Sequence, residues 1–383
     1  MRFIALGLPG GVLGVAWPSI RDSFGVSLDA IGTLLLASTI GYLLSSFTSG
    51  RTLTRVGIGP FLMISSVVGG AGFLGYALAP AWWVMVLCGL LAGLGTGAVD
   101  AGLNTYFAAN HGPTLMNWLH ACFGIGATIG PALITVLSSA GYSWRWGYAL
   151  IVLSEAVLAV CFAVTLSRWR LGRESAAQLM EGREGAVSAQ PVRSVETLKL
   201  PAAWLGILLF VAFTGVEGSA GQWPYSLFTE ARAVDPLVAG FWVSVYWGSL
   251  TVGRIFFGIV AARVPAVLLL RACTVGVVCG ATLLWWNPAD ILAFLGLALM
   301  GFTLAPLFPL SISSTPGRVG AAHAANAIGF QVAAASLGIG ILPGLAGVLA
   351  EASSLEVVGP FLLVTSVVTL LLHEITVSFR AAR

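Results

Sequence analysis

The sequence predicts an all-α membrane protein whose twelve transmembrane helices form two pseudo-symmetric six-helix bundles. Only 9% of its 383 residues are charged and 58% are hydrophobic, whereas soluble domains carry roughly 25% charged residues. Apolar stretches recur along the whole length, each near the roughly 20 residues that cross a bilayer as a helix. No soluble core could bury this much apolar surface, so we expect lipid to surround most of the chain.

Turn-forming and charged residues divide the chain into twelve predicted spans. The first six cover residues 3–20, 31–49, 61–78, 82–109, 115–140 and 148–166. The second six cover residues 202–227, 237–261, 267–286, 291–311, 321–349 and 357–379. The polar stretch between the two sets predicts an N-terminal bundle at 1–167, a cytoplasmic linker at 168–200 and a C-terminal bundle at 201–383.

The positions of the basic residues predict the orientation, because positive charge near span ends stays in the cytoplasm. With Met1 inside, only Arg21, Arg145 and Arg232 face outwards. The cytoplasmic set is Arg51, Arg55, Arg168, Arg170, Arg173, Arg183, Arg193, Lys199, Arg263, Arg318, Arg380 and Arg383. We therefore expect an integral protein of a plasma or bacterial inner membrane with both termini cytoplasmic. Topology explains the net charge of +3, so no nucleic-acid partner is expected.

The first apolar run follows Arg2, as in a signal peptide, but no small-residue cleavage site lies near Trp17 to Asp22. The parity of the later loops also requires this helix, and we interpret it as the first span. Almost no tail precedes it, which leaves open whether Met1 is the true start.

The two halves repeat a pattern after their second spans. Gly50 precedes Arg55 by the same distance as Gly258 precedes Arg263, since 55 − 50 equals 263 − 258. The fifth and eleventh spans also echo each other: Asn117, His120, Gly124, Gly126 and Pro131 loosely match Asn326, Gln331, Gly338, Gly340 and Pro343. Repeated halves are typical of secondary transporters, whose sites lie between the repeats.

The short loop predicted at residues 50–59 resembles the Gly-x-x-x-Asp-Arg-x-Gly signature of the major facilitator superfamily. Thr54 stands where that signature has its Asp, whereas the basic positions match. The resemblance implies the major facilitator fold, with Arg51, Arg55 and Arg263 as gating-loop residues. The missing acid weakens the inference of a gating salt bridge.

Within that superfamily the chain most resembles the fucose/galactose/glucose symporter family. Four segments carry the resemblance: Asp-Ala-Gly-Leu-Asn at 100–104, Asn-Trp-Leu-His at 117–120, Ala-Pro-Leu-Phe-Pro at 305–309 and Gly-Phe-Gln at 329–331. The family's first-span Asp is replaced by Gly14, four residues before Pro18. If protons are coupled here, the first helix does not carry them.

Ionisable residues inside a bilayer are costly and therefore need a reason. Asp100 and Asn104 lie one turn apart on the fourth span and should share a face. Glu217 lies within a Gly- and Pro-containing run at 215–224, where we expect local unwinding. We predict that Asp100, and secondarily Glu217, couple a proton, the alternatives being a structural polar pair and a structural helix break. The sequence alone suggests no specific partner for Glu155, and we expect it to pack between helices or to form an interhelical bond.

Sugar recognition needs hydrogen-bonding side chains together with a flat ring that covers C–H surface. Most tryptophans lie at span ends and fit the interfacial belt. The predicted substrate contacts are the deeper amides, imidazole and indoles: Asn104, His120, Gln222, Trp223, Trp247, Asn326 and Gln331. For His120, a local bond to a backbone carbonyl is the alternative.

Several classes of function are excluded or disfavoured. The chain lacks a Gly-x-x-x-x-Gly-Lys-Ser/Thr loop, and Lys199 is its sole lysine, so it does not itself drive transport with ATP. The five cysteines lie within predicted spans without paired spacing, so neither metal nor disulfide is expected. The four histidines are too scattered for a catalytic cluster, and we expect neither an enzyme nor a bound cofactor.

These observations predict a monomeric sugar symporter that works by alternating access, coupled to protons in preference to sodium. One alternative is a proton-coupled efflux antiporter for amphipathic small molecules. The other is a membrane sensor or scaffold that does not transport, for which a large soluble output domain or long tail would be expected. The sequence names neither the substrate nor the direction of transport.

Overall fold

The computed structural model describes residues 2–110, 113–166, 169 and 192–381. Twelve long helices form the described chain. The first six are α1 (Arg2–Phe24), α2 (Ile31–Val56), α3 (Ile58–Leu78), α4 (Trp82–Asn110), α5 (Pro113–Ser139) and α6 (Arg145–Val164). The second six are α7 (Pro201–Gln222), α8 (Pro236–Val260), α9 (Ala266–Trp286), α10 (Asp290–Ser314), α11 (Ala321–Ala352) and α12 (Val358–Ala381).

All twelve segments are long and apolar enough to cross a bilayer. The predicted spans are thereby confirmed, with ends that shift by a few residues. One helix is interrupted: α10 runs as Asp290–Leu304 and resumes as Leu307–Ser314, because Pro306 has no N–H to donate to the helix. Within the described residues no strand is present.

The loop expected at residues 50–59 is largely helical. Arg51 and Arg55 lie in the last turns of α2, so they are not loop residues. The intervening residues contain neither Gly nor Pro, and the helix continues until Gly57, whose φ of 81° ends it in the left-handed region. Arg263 does lie in a turn, between α8 and α9.

Unit 1 comprises Met1–Ala186 and is held together by four helix pairings: α1 with α5, α2 with α4, and α3 with both α4 and α6. The helices approach closely where glycine replaces a side chain. A Cβ added at Gly126 of α5 would overlap the carbonyl oxygen of Ile4 in α1.

Unit 2 comprises Val187–Arg383 and repeats the same scheme, since α7 pairs with α11, α8 with α10, and α9 with both α10 and α12. A Cβ at Gly338 of α11 would lie 2.5 Å from the carbonyl oxygen of Val211 in α7. The predicted architecture of two pseudo-symmetric six-helix bundles is thus confirmed. The division between the units falls within the polar stretch at 168–200.

The end of that polar stretch packs onto unit 2. A short helix, Ser194–Thr197, precedes α7, and the Thr197 side chain is fully buried. Its hydroxyl lies 3.0 Å from Nδ1 of His323 in α11, and the Trp204 indole donates to the Leu198 carbonyl at 2.8 Å. Residues 192–200 therefore belong structurally to the second bundle.

Candidate functional site

A cluster of hydrogen-bonded polar side chains surrounds the Asp100 carboxylate of α4 in unit 1. The Asn104 amide donates to Asp100 Oδ1 and to the Asp100 carbonyl, both at 2.9 Å. The two residues therefore share a helix face, as their spacing predicts. Because Asn104 bonds both the backbone and the carboxylate, its amide holds the Asp100 side chain in place.

Tyr42 of α2 completes this cluster. Its hydroxyl donates to Asp100 Oδ2 at 2.7 Å, so each carboxylate oxygen accepts a hydrogen bond. Sequence reasoning missed Tyr42, although it lies within the predicted second span at 31–49. The only sign of it in the sequence was a hydroxyl within an apolar segment. In the structure, the neighbouring Gly41 lies where α2 packs against the backbone of α4.

His120 belongs to α5 by its backbone, but its side chain lies outside the described residues, as does that of Asn117. A contact between His120 and Asp100 therefore stays a prediction. Glu155 of α6 is buried beside α3, where its Cβ would lie 3.2 Å from a Cβ added at Gly70. This position is the interhelical one expected from the sequence.

In unit 2, Glu217 lies in α7, which is a regular helix through Gln222. The unwinding expected around Glu217 is absent, and the break comes only at Trp223 and Pro224. The glycines of this run serve packing instead, since an added Cβ at Gly218 would lie 3.3 Å from Ile339 of α11. Glu217 is therefore placed by an intact helix.

The partner of Glu217 is Arg254 of α8, whose Nη2 lies 3.8 Å from Glu217 Oε1. The Tyr246 hydroxyl, also from α8, donates to the Glu217 carbonyl oxygen at 2.8 Å. Sequence reasoning missed Arg254 because it weighed only the acidic residues within spans. An arginine inside the predicted span at 237–261 was itself the available signal.

A second intramembrane pair was also missed. Arg271 of α9 donates two hydrogen bonds to the Glu374 carboxylate of α12, each at 2.6 Å. Both side chains are partly exposed, at 46% for Arg271 and 36% for Glu374. The bidentate geometry is the one in which Arg and a carboxylate fit best.

The predicted amides do not converge. Asn326 donates to the Val192 carbonyl at 2.9 Å and to Thr197 Oγ1 at 3.2 Å. Gln331 is buried, and its Oε1 accepts from the Thr315 hydroxyl at 2.9 Å. Both amides bind protein groups in this structure, and a contact with substrate stays a prediction for each of them. Gln222 is buried at the end of α7.

The two indoles predicted to contact substrate differ in their hydrogen bonding. Trp223 is fully buried, and its indole donates to the Pro343 carbonyl of α11 at 2.8 Å. This hydrogen bond joins the end of α7 to α11. Trp247 is 8% exposed, and its indole N–H has no partner among the described residues. Its ring covers Gly221 of α7. Trp247 is therefore the better candidate for ligand contact.

The chain has twelve apolar helices, the same helix pairing in both units and ionisable side chains inside each unit. These features define an integral membrane protein of the transporter class. The chain belongs to the Major Facilitator Superfamily, whose family model matches residues 3–293.

Relatives that are similar in sequence include a yeast protein and a bacterial transporter. The Saccharomyces cerevisiae protein named "Bypass of stop codon protein 6" is 23% identical over 395 residues, covering 93% of this chain and 77% of that protein. The D-xylose transporter of Levilactobacillus brevis is 24% identical over 159 residues, covering 40% of this chain and 35% of that protein.

Solved transporter structures share the fold at low sequence identity. A variant of the nucleoside transporter NupG aligns with a TM-score of 0.76 and 15% identity over 98% of both chains. The Escherichia coli xylose transporter XylE aligns at 0.73 and 15%, over 96% of this chain and 94% of its own. A variant of the E. coli fucose:proton symporter FucP aligns at 0.62 and 14%, over 98% and 96%. The resemblance to sugar symporters thus extends to the fold.

Proposed function

We propose that this protein is a proton-coupled sugar symporter that works by alternating access, with both termini cytoplasmic. The observation that carries the proposal is the Asp100 carboxylate inside α4, which accepts hydrogen bonds from Tyr42 and Asn104. A carboxylate held within a bilayer is costly and marks proton or substrate pathways. The names of the D-xylose relative and of the xylose and fucose transporters support a sugar as substrate.

In this proposal Asp100 binds the coupling proton. The substrate contacts kept in the proposal are Asn104, His120, Gln222 and Trp247. Trp223, Asn326 and Gln331 are left out of the binding set, since their polar groups already bind the protein. The gating roles of Arg51, Arg55 and Arg263 remain part of the proposal, with the first two acting from the end of α2.

The test is uptake of labelled glucose, galactose, fucose and xylose into proteoliposomes under an imposed proton or sodium gradient. Accumulation of one sugar under a proton gradient supports the proposal. Accumulation only under a sodium gradient would mean that sodium is the coupling ion. Asp100→Asn should abolish accumulation and spare exchange. The matched control is Asp22→Asn in the last turn of α1, where the Asp22 side chain is 76% exposed. Unchanged accumulation in Asp100→Asn would contradict its coupling role.

The second candidate is efflux of amphipathic compounds by proton antiport. It is favoured by Gly14, which stands in place of an acid in the first span, and by the aromatic face of α8, where Trp242 stacks on Phe294. Susceptibility of cells to a panel of lipophilic cations, with and without the protein, tests this. Raised resistance together with no sugar movement would favour efflux.

A further inference from the structure

Arg254 is an arginine in the interior of a membrane-spanning helix. It lies 18 residues after Pro236, about 27 Å along α8 and about 9 Å before its end, at 1.5 Å per residue. Placing an arginine at the centre of a transmembrane helix costs about 2.5–3.5 kcal/mol on insertion scales. Such a residue normally faces a partner or a water-filled space instead of lipid.

The pairing of Arg254 is loose in comparison with the other arginine pairs of this unit. Its Nη2 lies 3.8 Å from Glu217 Oε1, and it donates no hydrogen bond among the described residues. Arg232, by contrast, donates two hydrogen bonds to Glu356 at 2.8 and 2.7 Å, and Arg271 donates two to Glu374. The Arg254 guanidinium thus keeps its donors available while a carboxylate balances its charge.

The side-chain exposures fit an accessible site. Arg254 is 27% exposed and Glu217 is 14% exposed, although both lie within helix interiors. A charged pair at this depth would not be exposed to hydrocarbon, so the exposed guanidinium edge faces a polar space.

A second group points to a ligand independently. Trp247 precedes Arg254 by seven residues, which is two helical turns and therefore the same face of α8. Its indole N–H is more than nine-tenths buried and has no partner among the described residues. Leaving such a donor unsatisfied costs about 1–3 kcal/mol, which a bound oxygen would recover.

Two contacts join α8 to α7 at this site. Tyr246 ties α8 to the Glu217 carbonyl, and the Trp247 ring rests on Gly221, one turn beyond Glu217. Arg254 and the Tyr246 hydroxyl of α8 lie against Glu217, whereas Gly215 and Gly218 of the same helix face Leu342 and Ile339 of α11. Within the described part of the chain, Arg254 is the one charged group beside Glu217.

The chemistry of these groups selects a carboxylate. A guanidinium presents a planar fork that matches a carboxylate in two parallel hydrogen bonds, and an indole offers one more donor and a flat face for C–H groups. We propose that Arg254 binds the carboxylate of a hydroxylated anionic substrate, a sugar acid. When no substrate is bound, the Glu217 carboxylate takes its place as the ion-pair partner of Arg254. This inference rests on the proposed function and narrows its substrate class.

The exchange balances in charge. The substrate carboxylate replaces the Glu217 carboxylate at Arg254, and Glu217 takes one proton from the solution on the open side, forming an O–H bond. The site keeps one positive and one negative group in both states. Release reverses the exchange: the O–H bond breaks, the proton leaves with the anion, and Glu217 returns to Arg254. One proton therefore accompanies each anion at this site.

The test is equilibrium binding of D-glucuronate and D-glucose to the purified full-length protein, followed by tryptophan fluorescence at pH 5.5 and pH 7.5. We expect glucuronate to bind at least tenfold more tightly than glucose at pH 5.5 and to weaken at pH 7.5. Arg254→Gln should remove the preference, and Arg254→Lys should lose about tenfold because an ammonium lacks the fork. Glu217→Gln should tighten glucuronate binding and remove its pH dependence.

The control is the double variant Arg271→Gln/Glu374→Gln, which removes a guanidinium and a carboxylate from a pair on other helices. It should keep the glucuronate preference. Equal affinity for both sugars, or an unchanged preference in well-folded Arg254→Gln, would overturn the inference. If Arg254→Gln fails to fold, Glu217→Gln decides: unchanged affinity and pH dependence overturn the inference.

Transport separates this inference from the proposed function. Gradient-driven uptake of glucose without any preference for glucuronate overturns the inference and leaves the sugar symporter intact. Tight glucuronate binding that depends on Arg254, without gradient-driven accumulation, supports the inference and contradicts the symport mechanism.

Discussion

The Tyr42 hydroxyl donates a hydrogen bond to Asp100 Oδ2 at 2.7 Å and so joins α2 to the carboxylate of α4. With the Asn104 amide on the other oxygen, the carboxylate has a donor on each side. These two donors hold the carboxylate in one orientation, so Tyr42 and Asn104 belong to the proton-binding site proposed at Asp100.

We therefore expect Tyr42→Phe to impair gradient-driven uptake. A hydrogen bond to a charged group contributes about 1.5–3 kcal/mol, which corresponds to a loss of roughly 10- to 100-fold. Counterflow exchange should fall much less, because the binding residues remain. The check is uptake and exchange in the same proteoliposomes. Equal loss of both would show that Tyr42 supports the fold or substrate binding and not the coupling step.

Gly221→Ala should perturb the Trp247 ring directly. An added Cβ would lie 2.5 Å from Trp247 Cζ2, so the ring must shift away from α7. We expect the substrate KM to rise about tenfold, since overpacking costs about 1–3 kcal/mol. Gly258→Ala on α8 is the control, because nothing lies within 4 Å of its added Cβ. A similar KM in both variants would exclude Trp247 from the substrate site.

The sequence was a good guide to the helices and a poor one to their contacts. Bilayer thickness fixes the length of each apolar segment, so the twelve spans could be located within a few residues. These segments are apolar nearly all round, so the sequence gives little sign of which face of a helix meets which neighbour. Tyr42 was missed for this reason, since its importance lies in its contact with the helix opposite.

Asn326 illustrates the opposite case, a residue that the sequence singled out and that the fold uses in another contact. Its type and its place in the repeated fifth and eleventh spans suggested a substrate contact. The structure places it five residues into α11, where residues 192–197 return to the bundle and use its amide. An amide lying so near a helix end had a backbone partner that only the folded chain could reveal.

Asn326→Ala should therefore loosen the segment before α7 without changing sugar affinity. Three hydrogen bonds are lost, including one that Asn326 Oδ1 accepts from the Ser194 hydroxyl at 3.5 Å. Each has a net value of about 0.5–1.5 kcal/mol. We expect trypsin to cleave after Lys199 several-fold faster, as followed by mass spectrometry of the peptides. Ser336→Ala, an exposed hydroxyl later on α11, is the control. Weaker sugar binding with unchanged cleavage would restore Asn326 to the substrate site.

The last prediction concerns two glycines of unit 1 whose surroundings differ. Gly126 of α5 faces the Ile4 carbonyl, which an added Cβ would overlap, whereas nothing lies within 4 Å of a Cβ added at Gly10 of α1. Gly126→Ala should push α1 away from α5 and lower the Tm in detergent, at a cost of about 1–3 kcal/mol.

Gly10→Ala should leave the Tm unchanged or raise it. Alanine loses less backbone entropy than glycine when a helix forms, a difference of roughly 0.5–1 kcal/mol. The opposite signs matter, because any general sensitivity of α1 or α5 to substitution would lower both values together. Thermal unfolding of the two variants, measured side by side by tryptophan fluorescence, supplies the comparison. A Gly126→Ala protein as stable as the wild type would mean that α1 and α5 are not packed through this glycine.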